Sequence, residues 1–384
     1  MDNRSKKKIF WVILFIVAVL LVTITLVQKK PSNFEIRLGS IQVLTGDAKS
    51  YGEQLRDGVN LAVKEINGTS SESKVEVVIY DSENNKDLAL EKLKALKERD
   101  KINFVADVMS SGIALNAMPY ITKNKMLFIS AVNTSPELTN ISPYFYRIIP
   151  SDGASSEQLA KWAIEMGYKT AALLHATDVW GTGLKNVLGN KYKELGGSIV
   201  YVKDADPKQT IFKPVVSELI EKRPDVVFLV MYPREAALLL KEARKQGFTS
   251  HFMGTDNFTG SELIQVGGDA VDGVMFVTPG QESRKSERYK HFLSLYQTTF
   301  KTDKNPPLFT MMGYDMIHLI ATVAKDAEAD VEKARDILAK INFDGVSGKI
   351  AFDKNHDVIV KDYSRKILVF DKQKKSYEAV DFRK

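Results

Sequence analysis

The side chains of this chain that could act on a small molecule stand just after short apolar runs. "DVMSSGIAL" places Ser110 and Ser111 where an apolar run gives way to helical spacing. "ISAVNTSPEL" places Asn133, Thr134 and Ser135 in the same kind of position. Hydroxyls and free backbone N–H groups at a helix start suit an anion such as a carboxylate. They equally suit N-capping, worth about 1 kcal/mol each. Either role fits each loop alone, and two such loops at one end of one lobe favour the anion. "HFMGTDNFTG" puts Asp256 after another apolar run, as a counter-charge for a ligand ammonium or as a further cap. Tyr51, Trp180 in "HATDVWGTGL" and Tyr232 in "FLVMYPREAA" stand at strand ends. Aromatic rings there can close over a ligand side chain or pack the lobes. Arg234, beside Tyr232, reads as an acid-selecting group or as a solvated helix-start arginine.

Other chemistries lack a local signature. The chain contains no phosphate-binding G-x-x-x-x-G-K-[ST] loop, no H-E-x-x-H and no G-x-S-x-G. "GTGLKN" at Gly181 lacks the third glycine of a dinucleotide fingerprint. The five histidines lie at least 27 residues apart, which excludes a local metal motif. Absence of cysteine excludes disulfides, thiolate metal sites and a cysteine nucleophile. No cofactor is implied, and nothing local supports an enzyme.

The elements that must position these residues alternate. Of 384 residues, 44% are hydrophobic and 27% charged, an ordinary balance for a folded chain of about two domains. Strand-length runs occur at Ile36–Val43, Val75–Tyr80, Phe104–Met109, Met126–Ile129, Thr170–Leu174, Ile199–Val202, Val226–Val230 and Val274–Val277. Helical spacing lies between them, as in Leu55, Val59, Ala62, Val63 and Ile66. Repeated βα alternation predicts parallel sheets covered by helices on both faces. One sheet would need too many strands, so two doubly wound α/β lobes are expected. Towards the C-terminus come two helical stretches, Leu308–Ala327 and Val331–Ile341, then strand-like "GKIAFD", "SRKILVFD" and "SYEAVD".

Ile9 to Val27 is a run of 19 residues without a charge. At about 1.5 Å per residue it nearly spans a bilayer core of roughly 30 Å. No small-x-small site follows it, which favours an uncleaved transmembrane anchor over a signal peptide. The flanking basic residues place the N-terminus in the cytoplasm and the rest outside. If the run is cleaved, the protein is free in the periplasm or extracellular space. Beyond residue 30 the chain carries 48 basic and 47 acidic residues, so no charge excess drives nucleic-acid binding.

"IRLGSIQVLTGDAKSYGEQLRDGVNLAVKEING" resembles the opening of the branched-chain amino-acid-binding (Leu/Ile/Val-binding) family of type I periplasmic solute-binding proteins of ABC transporters. "YFYRIIPSD", "VWGTGL", "LLLKEARKQGF", "HFMGTD" and "FTMMGYDMIHLI" continue the resemblance in order, over nearly all of residues 35–380. It implies two lobes joined by a three-crossover hinge, 34–150 with 280–360 and 151–279 with 361–384. It implies that Ser110 or Ser111, with Thr134, meets a ligand α-carboxylate, and that the Val132 carbonyl and Asp256 meet the α-ammonium. Tyr51, Trp180, Tyr232 and Phe309 would surround the ligand side chain. Trp180 stands where members often have tyrosine, Asp256 where they often have glutamate, and Met109 where some have a disulfide cysteine. The implied partners are an amino acid or related amine or amide and the permease subunits of an ABC importer. A membrane-tethered sensing module on the same fold is the alternative expectation.

Overall fold

Alternation of apolar strand-length runs with amphipathic helices produces two layered α/β units. The computed structural model describes residues 34–46, 48–68, 73–259, 261–279, 285–372 and 376–382. The apolar run 9–27 expected to anchor the chain lies outside these residues. Among the described residues no helix is long and apolar enough to cross a membrane.

The first unit contains β1 (Phe34–Gln42), α1 (Lys49–Gly68), β2 (Ser73–Asp81), α2 (Lys86–Glu98), β3 (Phe104–Val108), α3 (Ser111–Lys123), β4 (Leu127–Ser130) and β5 (Phe145–Arg147). Its strands form one parallel sheet in the order β2-β1-β3-β4-β5. Every residue of β3 is buried, as expected of a central parallel strand with helices on both faces. Phe104 and Ala106 enter one core, with Leu38 and Ile129. Val105 and Val108 enter the other, with Ile41 and Phe128.

The second unit contains α4 (Asp152–Glu165), β6 (Thr170–Ala176), α5 (Val179–Glu194), β7 (Ser198–Ala205), α6 (Lys213–Lys222), β8 (Val226–Val230), α7 (Pro233–Lys245), β9 (His251–Gly254), α8 (Ser261–Gly267) and β10 (Met275–Pro279). The chain then returns to the first sheet with α9 (Glu287–Phe300), α10 (Leu308–Asp326) and α11 (Val331–Leu338). A small ladder, β11 (Phe343–Asp344) with β12 (Lys349–Ile350), follows. The last hairpin, β13 (Tyr363–Asp371) and β14 (Ser376–Asp381), joins the second sheet, giving β14-β13-β10-β9-β8-β6-β7. These two strands run antiparallel, unlike the parallel remainder.

Two details depart from the sequence pattern. "GKIAFD" splits between two pairings, Lys349–Ile350 with β11 and Phe352 with Val358, because Asp353 accepts the N–H groups of Asn355 and Asp357 and turns the chain. Helix α6, with Pro214 in its first turn, is absent from the helical stretches read in the sequence, whereas α3, expected from Ser110 and Ser111 onward, forms despite Pro119 inside it.

Helices α1 and α10 touch backbone to backbone. A Cβ on Gly58 would sit 2.0 Å from the Thr310 carbonyl oxygen, and one on Gly313 would sit 2.5 Å from that of Leu55. This contact sets where α10 begins, and so where Phe309 stands. Gly58→Ala is expected to destabilise the protein by about 2 kcal/mol through overpacking, despite a helix-propensity gain of about 1 kcal/mol. Gly68→Ala, whose Cβ would meet nothing, is expected to stay within about 0.5 kcal/mol. Urea denaturation measures both, and an unchanged midpoint for Gly58→Ala contradicts the close contact.

Candidate functional site

In a parallel sheet the carboxyl ends of the strands share one edge, where following helices present free N–H groups. The two such edges here face each other across an open cleft of about 3050 Å³. Small-ligand sites usually enclose roughly 300–1,000 Å³, so the walls stand apart. Tyr51, Ser110, Ser111, Val132 and Thr134 line the cleft from the first sheet, with Phe309 from the start of α10. Trp180, Tyr232 and Asp256 line it from the second.

The aromatic residues are set by matching devices. Gly52 follows Tyr51, and a Cβ there would lie 1.9 Å from the Val43 carbonyl oxygen. Gly181 follows Trp180, and a Cβ there would lie 2.3 Å from that of Ala176. Each glycine lets a helix start directly on the strand it follows, which projects the preceding ring over the cleft. Tyr51 meets Phe309 edge to face at 5.3 Å, and Trp180 leans on Tyr232 at 4.9 Å.

Ser110 holds φ 80° and ψ 129°, a conformation that residues with a Cβ rarely adopt. Such strain costs about 1–3 kcal/mol and persists where surrounding structure imposes it. Ser110 makes no side-chain cap. Ser111 is buried, and its Oγ accepts the Ser135 N–H at 3.3 Å, tying the two loops together. Both serines line the cleft, Ser111 with its hydroxyl proton still free to donate.

Asn133 departs from its expected place. Its side chain turns beneath the loop and donates to the Val108 carbonyl at 2.9 Å and to Asp107 at 3.1 Å. Asp107, also buried, accepts the Ala131 N–H at 2.7 Å. Burial pushes the Asp107 carboxyl up to about 7, opposed first by the Ala131 N–H and then by the Ser130 hydroxyl. The pair braces the loop from behind, and Val132 and Thr134 face the cleft in front.

Three carboxyl residues at this site escape the sequence reading. Asp178 caps α5 through the Gly181 N–H at 2.8 Å and accepts the Tyr232 hydroxyl at 2.6 Å. Asp152 accepts the Trp180 indole N–H at 2.6 Å. Glu235, on the first turn of α7, is buried and lines the cleft. Asp178 and Asp152 stand at helix starts, which in sequence marks only a cap. Burial raises Asp152 to about 6, opposed by Thr134 and Trp180. Burial and then the charge of Asp152 raise Asp256 to about 8. One wall thus offers hydroxyls and helix-start N–H groups, and the other offers carboxyl groups. That polarity matches a zwitterion, and among the described residues no cluster could hold a metal ion.

The periplasmic binding protein family model matches residues 35–364. A leucine-, isoleucine-, valine-, threonine- and alanine-binding protein of Pseudomonas aeruginosa is 24% identical over 328 residues, covering 84% of this chain and 87% of that protein. The crystal structure of a leucine binding protein from Thermotoga maritima superposes with TM-score 0.79 at 25% identity, over 90% of this chain and 97% of that one. An ABC-transporter solute binding protein of Rhodopseudomonas palustris, in complex with 3,4-dihydroxybenzoic acid, shares the fold with TM-score 0.80 at 22% identity, over 91% and 96% of the two chains. With a cleft built of two opposed strand edges and a family match over most of its length, this chain belongs to the periplasmic binding proteins, which bind solutes and are not enzymes.

Proposed function

We propose that this protein captures an α-amino acid, or a related small amine or amide, outside the cytoplasm and delivers it to an ABC importer by closing about its hinge. One observation carries this reading. Anion-binding groups on the first sheet's edge face Asp256 on the second across one cleft. Ser110, Thr134 and the N–H groups that open α3 hold the carboxylate. Asp256 and the Val132 carbonyl hold the ammonium. Tyr51, Phe309, Trp180 and Tyr232 enclose the side chain.

In this reading residues 34–150 with 280–360 form one lobe, and 151–279 with 361–384 the other. The run 9–27 anchors the protein, with its N-terminus in the cytoplasm. A ligand touching both lobes has higher affinity for the closed form and so shifts the population toward it. Closure excludes water, which strengthens the charge-assisted contacts at both ends. The permease then reads the closed form.

Asp256→Ala is expected to weaken binding by about 2 kcal/mol, or roughly thirtyfold, as for loss of a hydrogen bond to a charged group. Calorimetry with the amino acid that most raises the melting temperature measures this, and unchanged affinity removes Asp256 from the role. The same carboxyl sets a pH dependence. Asp256 is raised to about 8 in the ligand-free protein, and an ammonium favours its ionised form. Below pH 8 the ligand must therefore expel a proton. Affinity is expected to rise with pH between about 6 and 8, by at most about tenfold per unit. Titrations in two buffers of different ionisation enthalpy count the proton released. Affinity that is flat with pH, or that falls as pH rises in this range, contradicts the linkage.

A further inference from the structure

We propose that the second lobe docks an acidic loop with an apolar tip, belonging to the importer's membrane subunits, in a basic groove between the start of α6 and the outer face of α7. This deepens the import reading above and rests on it, by naming where the permease touches this chain.

Helical spacing makes the face. Arg234, Leu238, Lys241 and Lys245 recur at i, i+4, i+7 and i+11 along α7 and so share one side of it. The opposite side is buried in the lobe through Ala236, Leu239, Leu240 and Ala243. Arg234, Lys241 and Lys245 are exposed, and Leu238 is half-buried. The segment entering α6 lies alongside and adds Ile211 and Lys213, both exposed. Between them runs a groove of about 360 Å³, with the buried Phe212 in its wall.

The charge of the groove is one-sided. Lys213, Lys241 and Lys245 line it against a single carboxylate, Glu242. Glu242 lies 3.8 Å from Lys245 and accepts the Gln246 amide at 2.8 Å. Among the described residues Arg234, Lys213 and Lys241 make no ion pair. Beyond residue 30 the chain carries 48 basic and 47 acidic residues, so these cations are a local concentration and not a share of a general excess. Such a patch attracts an acidic partner and orients its approach.

Ile211 is the most exposed large hydrophobic side chain among the described residues, at 72%. Alone it would mean little. Here it stands at the lip of a recess that holds Leu238, with cations around both, so an apolar centre has a charged rim. A bilayer surface meets a projecting tip, whereas a recess takes up a side chain, so the occupant is a protein loop. Position ties the groove to import. Arg234 lines the cleft, and Thr210 lines both cleft and groove. A partner seated here also touches the cleft mouth, where the approach of the lobes is felt.

The test is uptake by cells that carry the full chain in place of its deleted gene, with the amino acid that most raises its melting temperature. Lys213→Glu combined with Lys241→Glu is expected to cut uptake at least tenfold, while calorimetry on the purified variant shows ligand affinity within twofold. Ile211→Asp is expected to do the same. Lys64→Glu combined with Lys193→Glu, the same charge change at exposed positions of α1 and α5, is expected to leave uptake within twofold. Because the chain has no cysteine, Ile211→Cys can carry a single photoreactive group, expected to attach to a permease subunit in those cells. Unchanged uptake in the groove variants, loss of ligand affinity along with uptake, or attachment to lipid alone or to nothing overturns the inference and leaves the import reading standing. No uptake through the unaltered protein overturns both.

Discussion

A loop that offers bare backbone groups to a ligand cannot use those groups to hold itself in shape. It must be held by side chains from behind, and here the buried guanidinium of Arg147 does most of that holding. Its Nε and Nη2 reach both Asp357 oxygens at 2.5 and 2.8 Å. Nη2 also donates to Thr139, and Nη1 to the carbonyls of Ser135 and Asn133. One side chain thus binds the 133–139 loop to the segment that returns toward β13. Removing one partner of such a buried pair costs about 3–5 kcal/mol, because the other charge stays buried alone. With Asp107 and Asn133 beneath it, the loop is braced from two sides, and the Thr134 carbonyl, which accepts the Asp152 N–H at 2.9 Å, ties it to the start of α4 as well.

The same economy runs through the rest of the site. Asp178 caps a helix with one oxygen and fixes Tyr232 with the other. Asp152 begins α4 and fixes Trp180. Each ring of the second wall is thereby held by a carboxylate that also organises secondary structure. The wall is braced and lined with carboxyl groups before any ligand arrives. The first wall is rigid and rich in hydroxyl and N–H groups. In the proposed reading the first wall alone leaves the ammonium without the Asp256 carboxylate, so binding is completed only when the walls approach. Ligand capture and closure are in this account one event.

Most of the residues that line the cleft were legible because they follow strands; Phe309, which follows a helix, was named only through the family resemblance. Ser110, Thr134, Tyr232 and Asp256 sit within a few residues of the ends of buried strands, and βα alternation sends such positions to one edge of each sheet. Residues whose role depends on a neighbour distant in sequence were not legible. Asp152 meets Trp180 from 28 residues away, and Arg147 meets Asp357 from 210 away. Asn133 shares its loop with Thr134, yet the sequence holds no sign that Asp107 waits beneath it. The close approach of α1 and α10 was similarly hidden, because an isolated glycine in a helix has no mark that names its contact. The antiparallel turn of the final hairpin was also unmarked: its apolar pieces look alike in either direction.

Closure on a ligand shared by both walls is the central claim, and the absence of cysteine makes it directly measurable. Lys86 and Lys208 are exposed on opposite sides of the cleft mouth. Spin labels on Lys86→Cys and Lys208→Cys in the full chain report the distance between them by pulsed electron resonance. Addition of the amino acid that most raises the melting temperature should replace the long ligand-free distance with a shorter one. A distance distribution unchanged at saturating ligand would contradict the account.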